Sequence, residues 1–240
     1  MGNENGEWIM YGVREDDPSC LHTPEELLAY VNRVGFLPLF KNGIPGFSVE
    51  EHTVSRYWWS EDEIRDPWCW RQILAGSEKI AYGKFFCKKA GFISLDWLPV
   101  FANARRNGYD FDARWDDALA SYRSKRIMDQ FEGNDELFSF ALKQRAGFGK
   151  DGEKNFEGTV TDLQMQTYLV IRDFRSRLNR QGLPYGWKIA VYAKPETLWG
   201  YDFVTGCYRE DPSVSQERIF RQMQAQFPDV PEKLLRNALQ

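Results

Sequence analysis

Residues 159–174, TVTDLQMQTYLVIRDF, decide how the second half of the chain is read. Thr161 stands three residues before Gln164, the spacing of a capping box in which a hydroxyl and an amide satisfy helix-end N–H groups. Apolar residues follow at helical intervals, so the segment reads as an amphipathic helix from Thr161 to about Leu178. Gln164 and Gln166 fall in its first turns.

The flanks give this helix a setting. Asp116–Phe131 reads as a helix with Leu119, Tyr122, Ile127, Met128 and Phe131 as core, broken by Gly133-Asn134. Glu136–Ala146 reads as a second helix, facing inward through Leu137, Phe138, Ala141 and Leu142. Gly147–Gly158 is a polar, glycine-rich connector. After the turn Gln181-Gly182-Leu183-Pro184, the run from Tyr185 to Lys194 alternates like a strand. Three helices followed by a ribbon is the order of a winged helix-turn-helix, whose third helix enters a DNA groove while the ribbon touches the backbone.

Upstream, Thr23-Pro24-Glu25-Glu26 starts a helix that Gly35 ends, with Leu27, Leu28, Tyr30, Val31 and Val34 on its apolar side. Residues 36–53 read as loop. Ser60 and Glu63 form a second capping-box pattern, and Pro67 restarts a helix through Trp68, Trp70, Ile73 and Leu74. Glu78–Ala90 and Leu95–Arg106 read as further helices, the first with Gly83 in its interior. The tail, Ser213–Phe227 and Pro231–Leu239, is helical. No internal repeat is visible. The expected fold class is mainly α with a small β component (α+β), a winged helix-turn-helix module or modules with additional helices. Residues 1–110 form a mostly helical region able to hold a divergent winged helix, 111–200 the winged helix-turn-helix, and 201–240 a C-terminal helical arm.

Composition sets limits. The 240 residues are 42% apolar and 15% aromatic, which excludes disorder over most of the length. No apolar run approaches the roughly 18 residues needed to span a bilayer, and the N-terminus lacks the pattern of a signal peptide. A cytoplasmic location is expected, with no membrane contact. Cys20, Cys69, Cys87 and Cys207 are too far apart in sequence for a metal knuckle or redox pair, and His22 and His52 are the only histidines. Neither a metal nor a cofactor is expected. The net charge of −4 is unevenly spread. Acids crowd residues 1–66, whereas Arg105, Arg106, Lys143, Lys150, Lys154, Arg172 and Arg175 stand among later cations able to make a local basic face.

Several residues carry two readings. Gln164 can simply serve a helix end, and Gln166 on a recognition helix can read adenine. Arg105 and Arg106 can clamp phosphate or oppose a helix dipole. Asp110, Asp112, Asp116 and Asp117 read as turn formers and caps before they read as acid–base groups. Trp58, Trp59, Trp68 and Trp70 read mostly as core.

The run Asp162-Leu163-Gln164-Met165-Gln166 is similar to the Gln-x-Gln signature of the AlkZ/YcaQ superfamily of winged-helix DNA glycosylases. The wider runs WRQILAGSEKIAYGKFF (70–86) and GEKNFEGTVTDLQMQTYLVIRDF (152–174) look like the proteins called AlkZ-related. The resemblance implies winged-helix modules over much of residues 60–200 and a DNA partner. It also implies hydrolysis of the N-glycosidic bond of an alkylated base. An N7-alkylated purine is cationic and leaves readily, so Gln164 and Gln166 would orient water and stabilise an oxocarbenium-like sugar, with Asp162 helping to place the water. The target nucleotide must be unstacked to be reached. The remaining readings are a non-catalytic nucleic-acid-binding or regulatory module using the same helix, and a small-molecule-binding protein without DNA contact.

Overall fold

The computed structural model describes residues 2–4 and 7–239, with side chains from Met10 onward. The side chains of Glu4 and Glu7, part of the acidic N-terminal excess, lie outside the described residues. Strands β1 (Gly2–Glu4) and β2 (Glu7–Ile9) pair antiparallel. Then come α1 (Pro24–Val34), β3 (Phe36–Pro38), two 3-10 turns (Glu50–His52 and Ser55–Tyr57), α2 (Pro67–Gly76), β4 (Ile80–Phe86) and β5 (Lys89–Ser94). Helices α3 (Leu98–Arg106) and α4 (Phe111–Asp116) lead into α5 (Tyr122–Met128), β6 (Glu136–Phe138), α6 (Ser139–Arg145), α7 (Phe156–Met165), β7 (Val170–Leu178) and β8 (Pro184–Ala193). The chain closes with α8 (Pro195–Trp199), α9 (Tyr201–Val204), α10 (Pro212–Gln226) and α11 (Glu232–Ala238). The fold is thus mixed α and β. Among the described residues, no helix is long and apolar enough to cross a membrane.

A repeat absent from the sequence is present in the topology. The first half runs helix, strand, short turns, helix, strand, strand, and its antiparallel sheet has the order β3-β5-β4. The second runs helix, strand, helix, helix, strand, strand, and its sheet has the order β6-β8-β7. In each, the last strand of the hairpin lies between the other two.

The halves exchange contacts. Helix α2 of the first packs on β7 of the second, α7 of the second packs on β4 of the first, and β4 touches β7. One apolar core runs through both, from Leu27, Phe36 and Phe101 to Leu163, Leu169 and Val170. Arg71 of α2 is a local bolt: its guanidinium lies 3.6 Å from the ring centre of Trp68 and 4.1 Å from that of Phe174 in β7. The tail braces the first half. Asn103 in α3 donates to Ser215 Oγ at 2.9 Å, and Gln222 and Gln226 both donate to the carbonyl of Val34.

Where caps are explicit, the sequence expectations stand. Thr23 accepts from the Glu26 N–H to start α1, and Gly35, at φ +96°, ends it. The Leu95–Arg106 pattern contains α3, the Tyr185–Lys194 pattern matches most of β8, and the tail is helical.

Several expectations are corrected. The helix drawn from Thr161 to Leu178 is two elements: α7 begins earlier, at Phe156, and ends at Met165, and the chain turns through Thr167 at φ +61° into β7. Thr161 is therefore interior and caps nothing. The buried run Tyr168-Leu169-Val170-Ile171 is apolar on every side, and such a run has no period that tells strand from helix. Glu78–Ala90 holds β4 and the start of β5, joined at Cys87-Lys88, both at positive φ; this is a tight hairpin turn without the usual Asn-Gly signal. Glu136–Phe138 is a strand, and α6 starts only at Ser139. Helix α2 is capped by Asp66, which accepts from the Trp68 N–H at 2.8 Å, and Ser60 and Glu63 lie outside it. Asp116–Phe131 also shortens, to a helix capped by Ser121 and a 3-10 turn.

Candidate functional site

The glutamine motif sits in the last turn of α7, at the seam between the halves. Gln164 is fully buried. Its Oε1 accepts the backbone N–H of Lys84 at 3.0 Å, and its Nε2 donates to the Val160 carbonyl at 3.2 Å. Lys84 lies where the β4–β5 register shifts, between Gly83 and Phe86, so its N–H needs a partner other than a ladder carbonyl. Gly83 makes room for the approach. A Cβ there would stand 3.3 Å from Gln164 Oε1 and 3.0 Å from Phe85 Cζ. The amide thus completes an irregular strand. Gln166 is half-buried and ends the helix, its N–H bonded to the Asp162 carbonyl. Asp162 points away into solvent, 3.4 Å from Lys88 Nζ.

Arg105 and Arg106 hold the same turn from the other side. Arg105 donates to the carbonyls of Met165 and Leu239 at 3.0 and 3.2 Å, and burial drives its pKa down to about 9. Arg106, almost wholly buried, donates to the carbonyl and hydroxyl of Thr167 at 2.6 and 3.2 Å. Burial disfavours its charge, but Glu196 and Tyr208 outweigh that and raise its pKa. Both guanidiniums are committed to internal partners, so neither offers the phosphate clamp expected of the pair.

The other expected cations separate into two groups. Arg172 pairs with Glu78 at 3.0 Å and with Glu136, while Arg175 pairs with Glu136 and Asp173. Hydrogen bonds from Arg175, joined by Arg172, hold the Glu136 carboxyl below its usual range. Lys143, Lys150 and Lys154 are exposed at the α6–α7 corner. Lys143 leans over the Phe156 ring, and Lys154 donates to the carbonyls of Gly149 and Lys150. The structure therefore does not gather the seven cations around Gln166.

A basic surface stands elsewhere, on the β7–β8 hairpin. From Phe174 to Pro195 the sequence holds Arg175, Arg177, Arg180, Lys188 and Lys194 and no acid. Arg177, Arg180 and Lys188 are exposed, beside exposed Leu178, Leu183 and Tyr185 and a Trp187 that is 92% exposed. The Arg177 guanidinium lies 4.3 Å from the ring centre of Phe140. Phe138, Phe140, Arg177, Tyr185 and Lys188 line a groove of about 1020 Å³ along the hairpin. Sequence reasoning passed over this site. Its available signal was the acid-free run in an acidic chain.

A smaller cavity, about 210 Å³, lies beyond Tyr168 and gathers Asp110, Asp112, Asp129, Glu132 and Glu196. Asp110 accepts from the Tyr201 hydroxyl at 2.7 Å, which raises that phenol to about 12; Glu196 and Asp129 pair with Arg106 and Lys125. Among the described residues, no group of three or more His, Cys, Asp or Glu side chains is arranged to hold a metal ion.

Comparison with known proteins gives one family. No curated protein and no solved structure matches the chain. The family model described as AlkZ related matches residues 21–240, nearly the whole length and both halves of the fold. The chain belongs to the AlkZ-related family.

Proposed function

We propose that this chain is a DNA-binding protein built from two winged helices and that it meets DNA through the β7–β8 hairpin. The observation that carries the reading is the outer part of that hairpin, residues 174–193: cationic, aromatic and free of acids, on a chain of net charge −4. Three further points support it. The order helix, strand, helix, helix, strand, strand with the sheet order β6-β8-β7 fits a winged helix over residues 122–193, inside the expected span 111–200. The sheet order β3-β5-β4 fits a second over residues 24–94, inside the expected span 1–110, and residues 201–240 are the arm. The family relationship is DNA-glycosylase-like.

The same packing separates this reading from groove recognition by a third helix. Helices α2 and α7 hold that place, and each is covered by strands of the other half. The hairpin is what remains free. Binding is favoured over base excision at the motif, because the Gln164 amide is committed at both ends to backbone groups.

The test is fluorescence anisotropy with a labelled duplex. Three phosphate contacts, from Arg177, Arg180 and Lys188, should weaken binding roughly 40-fold between about 50 and about 200 mM salt. No binding at the lower salt sinks the proposal. A parallel assay for release of an alkylated purine is expected to give none; release that Gln164→Ala abolishes in a protein of unchanged stability would restore the catalytic role of the motif.

A further inference from the structure

We infer that the tip of the β7–β8 hairpin is a stacking platform for the unpaired bases of a nucleic-acid strand, with Trp187 as the ring that meets the base. The inference rests on the nucleic-acid reading above and adds the state of the strand.

The hairpin is built to put Trp187 outside. Arg177 faces Tyr185 and Arg175 faces Ile189, so one residue, Ser176, stands opposite three, Gly186, Trp187 and Lys188. Such a bulge turns a side chain away from its regular face. Gly186 supplies the bend at φ +71°, and nothing lies within 4 Å of where its Cβ would be. The result is an indole 92% exposed, whereas no other described tryptophan exceeds the 44% of Trp59. An aromatic side chain of that size normally finds cover in a chain able to build a core. Here the local backbone denies it cover.

The surroundings specify the occupant by charge. Lys188 adjoins the indole, Arg177 faces Tyr185 across the strands, and Arg180 stands at the turn. A second copy of this surface would bring like charges together, so the patch suits a polyanion. Phosphate contact needs only the cations. A base paired within a duplex has its faces covered by its neighbours, whereas every unpaired base has a face that stacks on an aromatic ring. Alternating rings and cations at the spacing of a hairpin fit a strand that offers bases and phosphates in turn.

The experiment uses the full chain and labelled oligonucleotides of about 15 nucleotides: a single strand, the same strand with abasic sites throughout, and its duplex. The abasic strand keeps the phosphates and removes the bases. The single strand is expected to bind about tenfold more tightly than its abasic counterpart and to quench tryptophan fluorescence. Trp187→Ala should bring the single strand down to the abasic level, and Trp187→Phe should recover most of the difference. Because the indole is outside the core, the thermal midpoint of both variants should match the parent. Equal affinity for ordinary and abasic strands overturns the inference and leaves DNA binding standing, as does a Trp187→Ala variant that binds like the parent. Failure to bind any oligonucleotide at low salt removes both. Binding of phosphatidylserine vesicles in place of oligonucleotides, or Trp187-dependent self-association, also overturns it.

Discussion

The hairpins β4–β5 and β7–β8 occupy equivalent places in the two halves, yet they have opposite fates. The first is short and turned inward. Phe85 and Phe86 are buried, Lys84 Nζ donates to Thr161 at 3.3 Å, Lys88 pairs with Asp162, and the Cys87 thiol at the tip donates to the Asn237 carbonyl. Its lysines therefore brace α7, and Cys87 reaches the tail. The second is longer, and beyond Ser176 it leaves the body of the protein, with its cations and rings in solvent. Topology alone thus does not make a binding element. The second hairpin stays open to a partner because its tip has no neighbour to hold.

The sharpest way to break this comparison is to remove charge from each hairpin in turn. Arg177→Ala, Arg180→Ala and Lys188→Ala together should lower duplex affinity at low salt by more than tenfold and flatten the salt dependence toward that of a neutral surface. Lys84→Ala with Lys88→Ala should change affinity less than about twofold, since those side chains are occupied within the protein. Equal losses from both sets would erase the distinction.

Next in size is the buried amide. Gln164→Ala leaves the Lys84 N–H without its partner inside the seam, a loss of about 2 to 3 kcal/mol. Calorimetry should record a midpoint lower by roughly 4 to 12 °C for a chain of this length. Affinity for DNA, measured below the transition, should hold. Gly83→Ala tests the same contact from the strand. Its methyl would press on Phe85 and Gln164, and about 1 to 2 kcal/mol of destabilisation is expected in a denaturant titration. An unchanged midpoint would show that the seam is looser than drawn.

The smallest effect belongs to the ion network that joins β6 to β7, which Arg172 extends to Glu78 of the other half. The folded pKa of Glu136 is below its unfolded value, so its contribution to stability is full above the ordinary glutamate range and is lost as pH falls through the folded pKa. Glu136→Gln should cost less than about 1 kcal/mol at neutral pH, because the pair is partly screened, and the cost should shrink in acid. A cost that grows on acidification would contradict the assignment.

Legibility in the sequence followed local chemistry. Helix α1 was readable because Thr23, Pro24 and Gly35 mark its ends, and α3 because its apolar period is clean. The α7–β7 boundary was not, because the stop is supplied from outside: Arg106 and Arg105 bind the carbonyls that an ongoing helix would use. Gln164 drew attention as a motif residue, but its partner is 80 positions away and its burial belongs to the tertiary fold. Arg172 and Arg175 read as free cations for the same reason; Glu78 and Glu136 reach them only after folding. Trp187 sits in an alternating run that suggests half-burial, and only the misaligned pairing around Gly186 reverses it.

The exchange of α2 and α7 between the halves also bears on how the polypeptide is made. The apolar side of α2 is finished about a hundred residues before β7, which covers it, has been translated. At ordinary synthesis rates that side waits roughly 5 to 20 s. A fragment ending between α3 and α5 would pack α2 against α1 and β4 alone and leave open the side that β7 covers.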